Sequence, residues 1–106
     1  MTQITYTVSV SIMFESKAEE WLEWLKNGHI DDVRKGGAAS AEIVKLDPHD
    51  EAQRETIYEI RYRFADRSTF DDYLENHAPR LRREGLEKFP LEDGFKYSRS
   101  VGEILE

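Results

Sequence analysis

An α+β fold of order β-α-β-β-α-β, with four antiparallel strands and two helices on one face, is predicted by this 106-residue sequence. Three observations carry the prediction. Residues 4–14 alternate apolar and polar with a period of two, and Ala18, Leu22, Leu25, His29 and Val33 recur at helical spacing. Shifting the chain by 48 positions lays Leu22 on Phe70, Leu25 on Tyr73, His29 on His77 and Val33 on Leu81, an echo of the kind that two βαβ halves produce.

In the first strand, Ile4, Tyr6, Val8, Val10, Ile12 and Phe14 face one way, and Thr5, Thr7, Ser9, Ser11 and Met13 the other. Ser16 and Glu19 form a capping box, which starts a helix near Lys17. That helix carries Trp21 and Ile30 at the edges of its apolar stripe, while Trp24 points away from it. Gly36-Gly37 ends it, because glycine tolerates the left-handed conformation beyond a helix C-terminus. A second strand, 39–46, leads into the polar loop 47–54, where His49 is solvated. The third strand, 55–64, aligns Tyr58, Ile60, Tyr62 and Phe64 on one face and Ile57, Glu59, Arg61 and Arg63 on the other.

Asp66 or Ser68 caps a second helix whose inner stripe is Phe70, Tyr73, Leu74, His77 and Leu81. Pro79 must kink or divide it near His77, since proline lacks the backbone donor and disfavours helical geometry at Ala78. After the turn at 90–94, Phe95, Tyr97 and Val101 alternate in a last strand that ends near Ile104. This order is the split βαβ arrangement of ferredoxin-like domains, filling the chain as a single domain, 1–106.

Composition excludes several function classes. Cysteine is absent, so no disulfide, cysteine–zinc site or thiol nucleophile is available. The net charge of −7, from 15 Lys+Arg against 22 Asp+Glu, opposes nucleic-acid binding. The basic cluster Arg80, Arg82 and Arg83 sits beside Glu84 and Glu87 and reads as a solvated helix face. The N-terminus has no basic segment before its apolar residues and reads as a retained strand; no apolar run reaches membrane-spanning length. A cytoplasmic, soluble protein is the expectation.

The pattern Trp21-x-x-Trp24-x(4)-His29-Ile30-x-Asp32-Val33, with Tyr73-Leu74-x-x-His77-Ala78-Pro79-x-Leu81-Arg82, resembles a small bacterial family known only as a domain of unknown function. The resemblance covers nearly the whole chain. It implies membership of the dimeric α/β-barrel proteins, whose ferredoxin-like subunits pack sheet against sheet, and hence a homodimer. That wider group includes haem-degrading and quinol-forming monooxygenases, lactone isomerases, and dehalogenating and decolorising enzymes. The small family itself supplies no catalytic assignment. Asp31 stands where the family pattern has proline, a departure that makes the neighbourhood of His29 less rigid.

Two groups of residues are candidates for a site. His29 and His77 suit proton transfer near neutral pH, or are core histidines bonded to a backbone carbonyl or to the hydroxyl of Tyr6, Tyr58, Tyr62 or Tyr97. A metal site with Asp31 or Asp32 is not expected, because His29-x-Asp31 matches no strong signature and neighbouring helical positions diverge. The second group is the polar sheet face, where Thr7, Ser9, Ser11, Glu59, Arg61 and Arg63 present hydroxyls, a carboxylate and guanidinium forks suited to a carboxylate-bearing small molecule. Intersubunit salt bridges without a ligand are the alternative there.

Gly36-Gly37 follows a helix and is no phosphate loop; no cofactor is expected. Trp24 is either exposed or part of a contact with another chain. The leading expectation is a homodimeric small-molecule-binding or accessory protein with a polar barrel lumen. Its competitors are a cofactor-independent monooxygenase or isomerase using a histidine for proton transfer, and a structural interaction module without ligand.

Overall fold

A computed structural model describes residues 2–105. Four strands, β1 (Ile4–Ile12), β2 (Ser40–Lys45), β3 (Thr56–Phe64) and β4 (Phe95–Glu103), form one antiparallel sheet in the order β2-β3-β1-β4. The period-two alternation fixes the register: Ile4 lies opposite Phe64, Val8 opposite Ile60, and Val10 opposite both Tyr58 and Tyr97. One sheet face therefore gathers Ile4, Tyr6, Val10, Ile12, Tyr58, Ile60, Tyr62, Phe64 and Phe95, all buried. Four helices cover that face: α1 (Glu15–Trp24), α2 (Ile30–Lys35), α3 (Arg67–Asn76) and α4 (Ala78–Lys88).

Both helical layers are broken where the 48-residue echo places a histidine. In the first, the wide turn Leu25–His29 interrupts the helix, with the Ile30 N–H donating to the Leu25 carbonyl five residues back. Asn27 leaves helical geometry at φ −97° and ψ 38°, and Gly28 takes φ +139°, a conformation that L side chains rarely adopt. The continuous helix expected from Lys17 to Val33 is thereby corrected. Ala18, Leu25 and Val33 keep their buried stripe, but His29 is rotated out of the 100° series. In the second layer His77 is the joint between α3 and α4, and Pro79 sits in the first turn of α4, where its missing donor is not needed.

The expected capping box does not form. The helix starts two residues earlier than expected, at Glu15 after the extended Phe14, so Ser16 is already helical and cannot act as the N-cap. The Met13 N–H instead ties this turn to the Gly94 carbonyl at 3.0 Å. Asp66, not Ser68, caps α3: its Oδ1 accepts from the Thr69 N–H at 2.8 Å and from Ser68 Oγ at 3.0 Å. These bonds, the Thr69 backbone bond foremost, hold its carboxyl below the usual carboxylate range. Gly94, at φ +91°, closes the short 3-10 turn Leu91–Asp93 and admits the chain to β4.

Candidate functional site

Between the helices and the covered sheet face lies a cavity of about 60 Å³. Its floor is Val8, Val10, Ile60 and Tyr62 from the sheet, and its walls come from Trp21, Trp24 and Leu25 of the first helical layer and Leu81, Arg82, Gly85 and Leu86 of α4. Alternation along β1 and β3 supplies the apolar floor. Gly85 borders the indole: a Cβ there would meet Trp24 Cη2 at 3.5 Å, an ordinary van der Waals contact.

The break at Asn27-Gly28 turns His29 into this cavity. Its imidazole stacks on the Trp24 indole, with centroids 4.3 Å apart and planes 25° from parallel, and Trp24 meets Phe89 edge-on at 5.5 Å. Trp24 is thus half-buried against the core, which corrects the expectation that it points away, because the turn that follows it folds the chain back across its ring. His29 Nδ1 is buried with no hydrogen-bond partner, so the expected bond to a carbonyl or tyrosine is not made at that nitrogen. Burial pushes the His29 imidazole below its ordinary value, opposed by the charges of Asp32 and Glu84. The ring is held neutral.

The polar end of the cavity is a cluster of arginine and tyrosine. Arg82 Nη2 donates to the Tyr6 hydroxyl at 3.1 Å, while its Nε is buried without a partner. Tyr6 packs against Tyr62, Phe70 and Tyr73 with centroid separations of 6.0, 5.4 and 5.9 Å. Burial drives the Tyr73 phenol up to about 12, reinforced by Tyr6 and opposed by the charges of Arg82 and Arg99. Burial raises Tyr62 as well, reinforced by Tyr73 and Tyr6. The Tyr97 hydroxyl donates to the Phe89 carbonyl at 2.9 Å, and its phenol too is pushed up to about 12 by burial.

His77 does not join this site. It packs over Gly36, whose added Cβ would lie 3.0 Å from the imidazole Cγ, and its Nε2 lies 3.9 Å from Asp72 Oδ2 with the side chain about a third exposed. It is a half-buried surface histidine and not a core residue. The break that turns His29 inward has no equivalent conformation at His77, where φ is −126°.

Thr7, Ser9, Ser11, Glu59, Arg61 and Arg63 share the uncovered sheet face, where Thr7 lies opposite Arg61, Ser9 opposite Glu59 and Thr5 opposite Arg63. Arg61 is engaged there: its Nη2 is 2.8 Å from Glu59 Oε1 and its Nη1 is 3.8 Å from Glu42 Oε1. Arg61 and Arg63, with Thr5, Ser40, Ala41, Glu42 and Ile104, line a second cavity, of about 450 Å³, that Thr7, Ser9, Ser11 and Glu59 do not line. Among the described residues no three His, Asp or Glu side chains converge as metal ligands, and no helix is long and apolar enough to cross a membrane.

Arg82 and Arg99 are the residues that sequence reasoning passed over. Arg82 reads as part of a solvated basic run, yet α4 aims Arg80 at Glu84, 3.1 Å away, and turns Arg82 inward. The signal was its position next to Leu81 and three residues before Gly85, on the buried edge of the stripe. Arg99 continues the Phe95, Tyr97 and Val101 alternation, and so shares the helix-covered face.

Strand order and helical layers define a ferredoxin-like α+β domain with a cavity between its layers. Residues 3–101 match the family described as Domain of unknown function (DUF4286), and the chain belongs to that family. No curated protein matches the sequence. Among solved structures, the fold is similar to a dimeric ferredoxin-like protein from an uncultured marine organism, at 10% identity and TM-score 0.71, covering 100% of this chain and 98% of that one. It is also similar to an ethyl tert-butyl ether d (ethd) family protein from Bacillus halodurans, at 12% identity and TM-score 0.70, covering 96% and 99%. A variant of SnoaB, a cofactor-independent oxygenase from Streptomyces nogalater, matches at 10% identity and TM-score 0.67, covering 98% and 94%. These likenesses concern the fold.

Proposed function

We propose that this chain is a small-molecule-binding protein whose ligand enters the cavity between helices and sheet, and that two copies pair through their uncovered sheet faces. One observation carries the binding reading: two residues that line an apolar cavity from opposite helical layers, His29 and Arg82, each bring a buried polar atom without a partner to its wall, Nδ1 and Nε. Unpaired buried donors and acceptors are costly, and a folded protein keeps them where a ligand or ordered water answers them. Pairing through the sheet is supported by the mixed-charge row Glu42, Arg61 and Glu59, which a two-fold axis can make self-complementary, and by the description of a structural neighbour as dimeric.

Native mass spectrometry of protein purified without denaturation tests both parts. A retained small molecule and a doubled mass are expected. A bare single-chain mass at micromolar concentration overturns both.

A second reading, a cofactor-independent oxygenase or isomerase, is favoured by the neutral His29 imidazole. A histidine held unprotonated at neutral pH is poised to take a proton from a bound substrate. The fold neighbour described as a cofactor-independent oxygenase is compatible with this chemistry. His29→Ala is then expected to abolish turnover of any substrate found while leaving the thermal midpoint within a few degrees of the parent. Turnover that survives the substitution overturns this reading.

A further inference from the structure

We propose that the ligand of this cavity is a small carboxylic acid, held by Arg82 and Arg99 with its apolar body toward Val10, Leu25 and Leu81; the assignment rests on the reading of the cavity as a binding site. The chain carries seven more acidic than basic side chains, yet the cavity lining contains two arginines and no aspartate or glutamate. Such a reversal of sign within an acidic protein is a local field for an anion.

Neither guanidinium is neutralised within the chain: among the described residues no carboxylate lies within salt-bridge distance of Arg82 or Arg99. Arg82 is also held in place: Nη2 is fixed on the Tyr6 hydroxyl and Nε is enclosed in the wall. A guanidinium that is positioned, part-buried and unneutralised is a charge prepared for an incoming oxyanion, and a planar carboxylate suits its fork. Arg99 reaches the same cavity from β4, where it lies opposite Val8, and both arginines line it.

Volume sets the size of the acid. About 60 Å³ has room for about four or five water-sized spheres. That admits a short branched monocarboxylate. A benzoate ring needs Leu86, the exposed residue of the wall, to move aside.

The test is an amide chemical-shift titration of the full chain with isobutyrate and with its neutral isostere isobutyramide. Isobutyrate is expected to shift the amides of Val8, Val10, Leu25 and Leu81 with a Kd at least tenfold below that of isobutyramide. Arg99→Gln, at an exposed position, and Arg82→Met are each expected to raise the isobutyrate Kd at least tenfold and to leave the isobutyramide Kd unchanged. Should Arg82→Met fail to fold, Arg99→Gln carries the comparison. Equal affinities for acid and amide, or a preference for the acid that survives Arg99→Gln, overturn the ligand class while the cavity stands as a binding site. If neither compound shifts those amides, the cavity reading falls and this assignment with it.

Discussion

The Trp24 indole lies over the His29 imidazole at 4.3 Å, two residues only five positions apart whose rings meet because Asn27 and Gly28 break the helix between them. On an uninterrupted helix residues i and i+5 diverge by about 140°. The break is therefore the feature that builds the cavity wall, and the properties of His29 follow from it.

Burial lowers the His29 pKa in the folded chain relative to the unfolded one, so the folded state binds this proton less readily. The stabilising contribution of the neutral ring is fully present above the unfolded value of about 6.5 and is lost as pH falls through the lower folded value. Urea unfolding at pH 7.5, 6.5, 5.5 and 4.5 is expected to show a fall in stability over that window which His29→Gln flattens. Parallel profiles for parent and variant would contradict the assignment.

Gly28 and Gly85 are expected to respond in opposite directions to the same substitution. Nothing lies within 4 Å of a Cβ built on Gly28, so Gly28→Ala is penalised only through its φ of +139°, at a cost of about 1–3 kcal/mol. Gly85 is helical, and its added Cβ makes an ordinary contact with Trp24, so Gly85→Ala should stabilise by up to about 1 kcal/mol through helix propensity while narrowing the cavity. Chemical denaturation of the two variants reads both signs.

Tyr6→Phe removes the acceptor of the Arg82 Nη2 bond without changing the packing of the ring among Tyr62, Phe70 and Tyr73. A part-buried guanidinium then loses its side-chain partner, and a destabilisation of about 1–3 kcal/mol is expected. A carboxylate ligand should recover part of that loss, which thermal midpoints measured with and without isobutyrate reveal.

Arg61→Glu places three carboxylates together with Glu42 and Glu59 on the uncovered face. The folded single chain is expected to change by less than about 1 kcal/mol, since exposed ion pairs contribute little. Self-association through that face is expected to weaken at least tenfold by analytical ultracentrifugation. A dimer constant equal to the parent's would place the interface elsewhere.

The sheet was legible because each strand is buried on one side only. Ile4 to Ile12 and Tyr58 to Phe64 carry their facing in their alternation, and the observed register pairs like with like. Pro79 announced the division of the second helix. Gly28 gave the same kind of warning in the first, yet a lone glycine inside an otherwise good apolar stripe does not reveal its φ, and the stripe was extrapolated through it to His29. The basic run Arg80 to Arg83 misled for a related reason. Charge counts along a line treat its arginines as one surface, whereas a helix sends Arg80 to Glu84 and Arg82 to the core.

Element order, the apolar faces, the histidine echo and the family patterns belong to the sequence alone, because they rest on periodicities that near neighbours impose. The cavity belongs to the tertiary structure. Its polar end depends on Arg82 meeting Tyr6 across 76 positions of chain, and its wall on Trp24 packing edge-on against Phe89. Such contacts are set by how two helical layers settle on one sheet, and that packing, not local spacing, decided that His29 faces a cavity while His77 faces the surface.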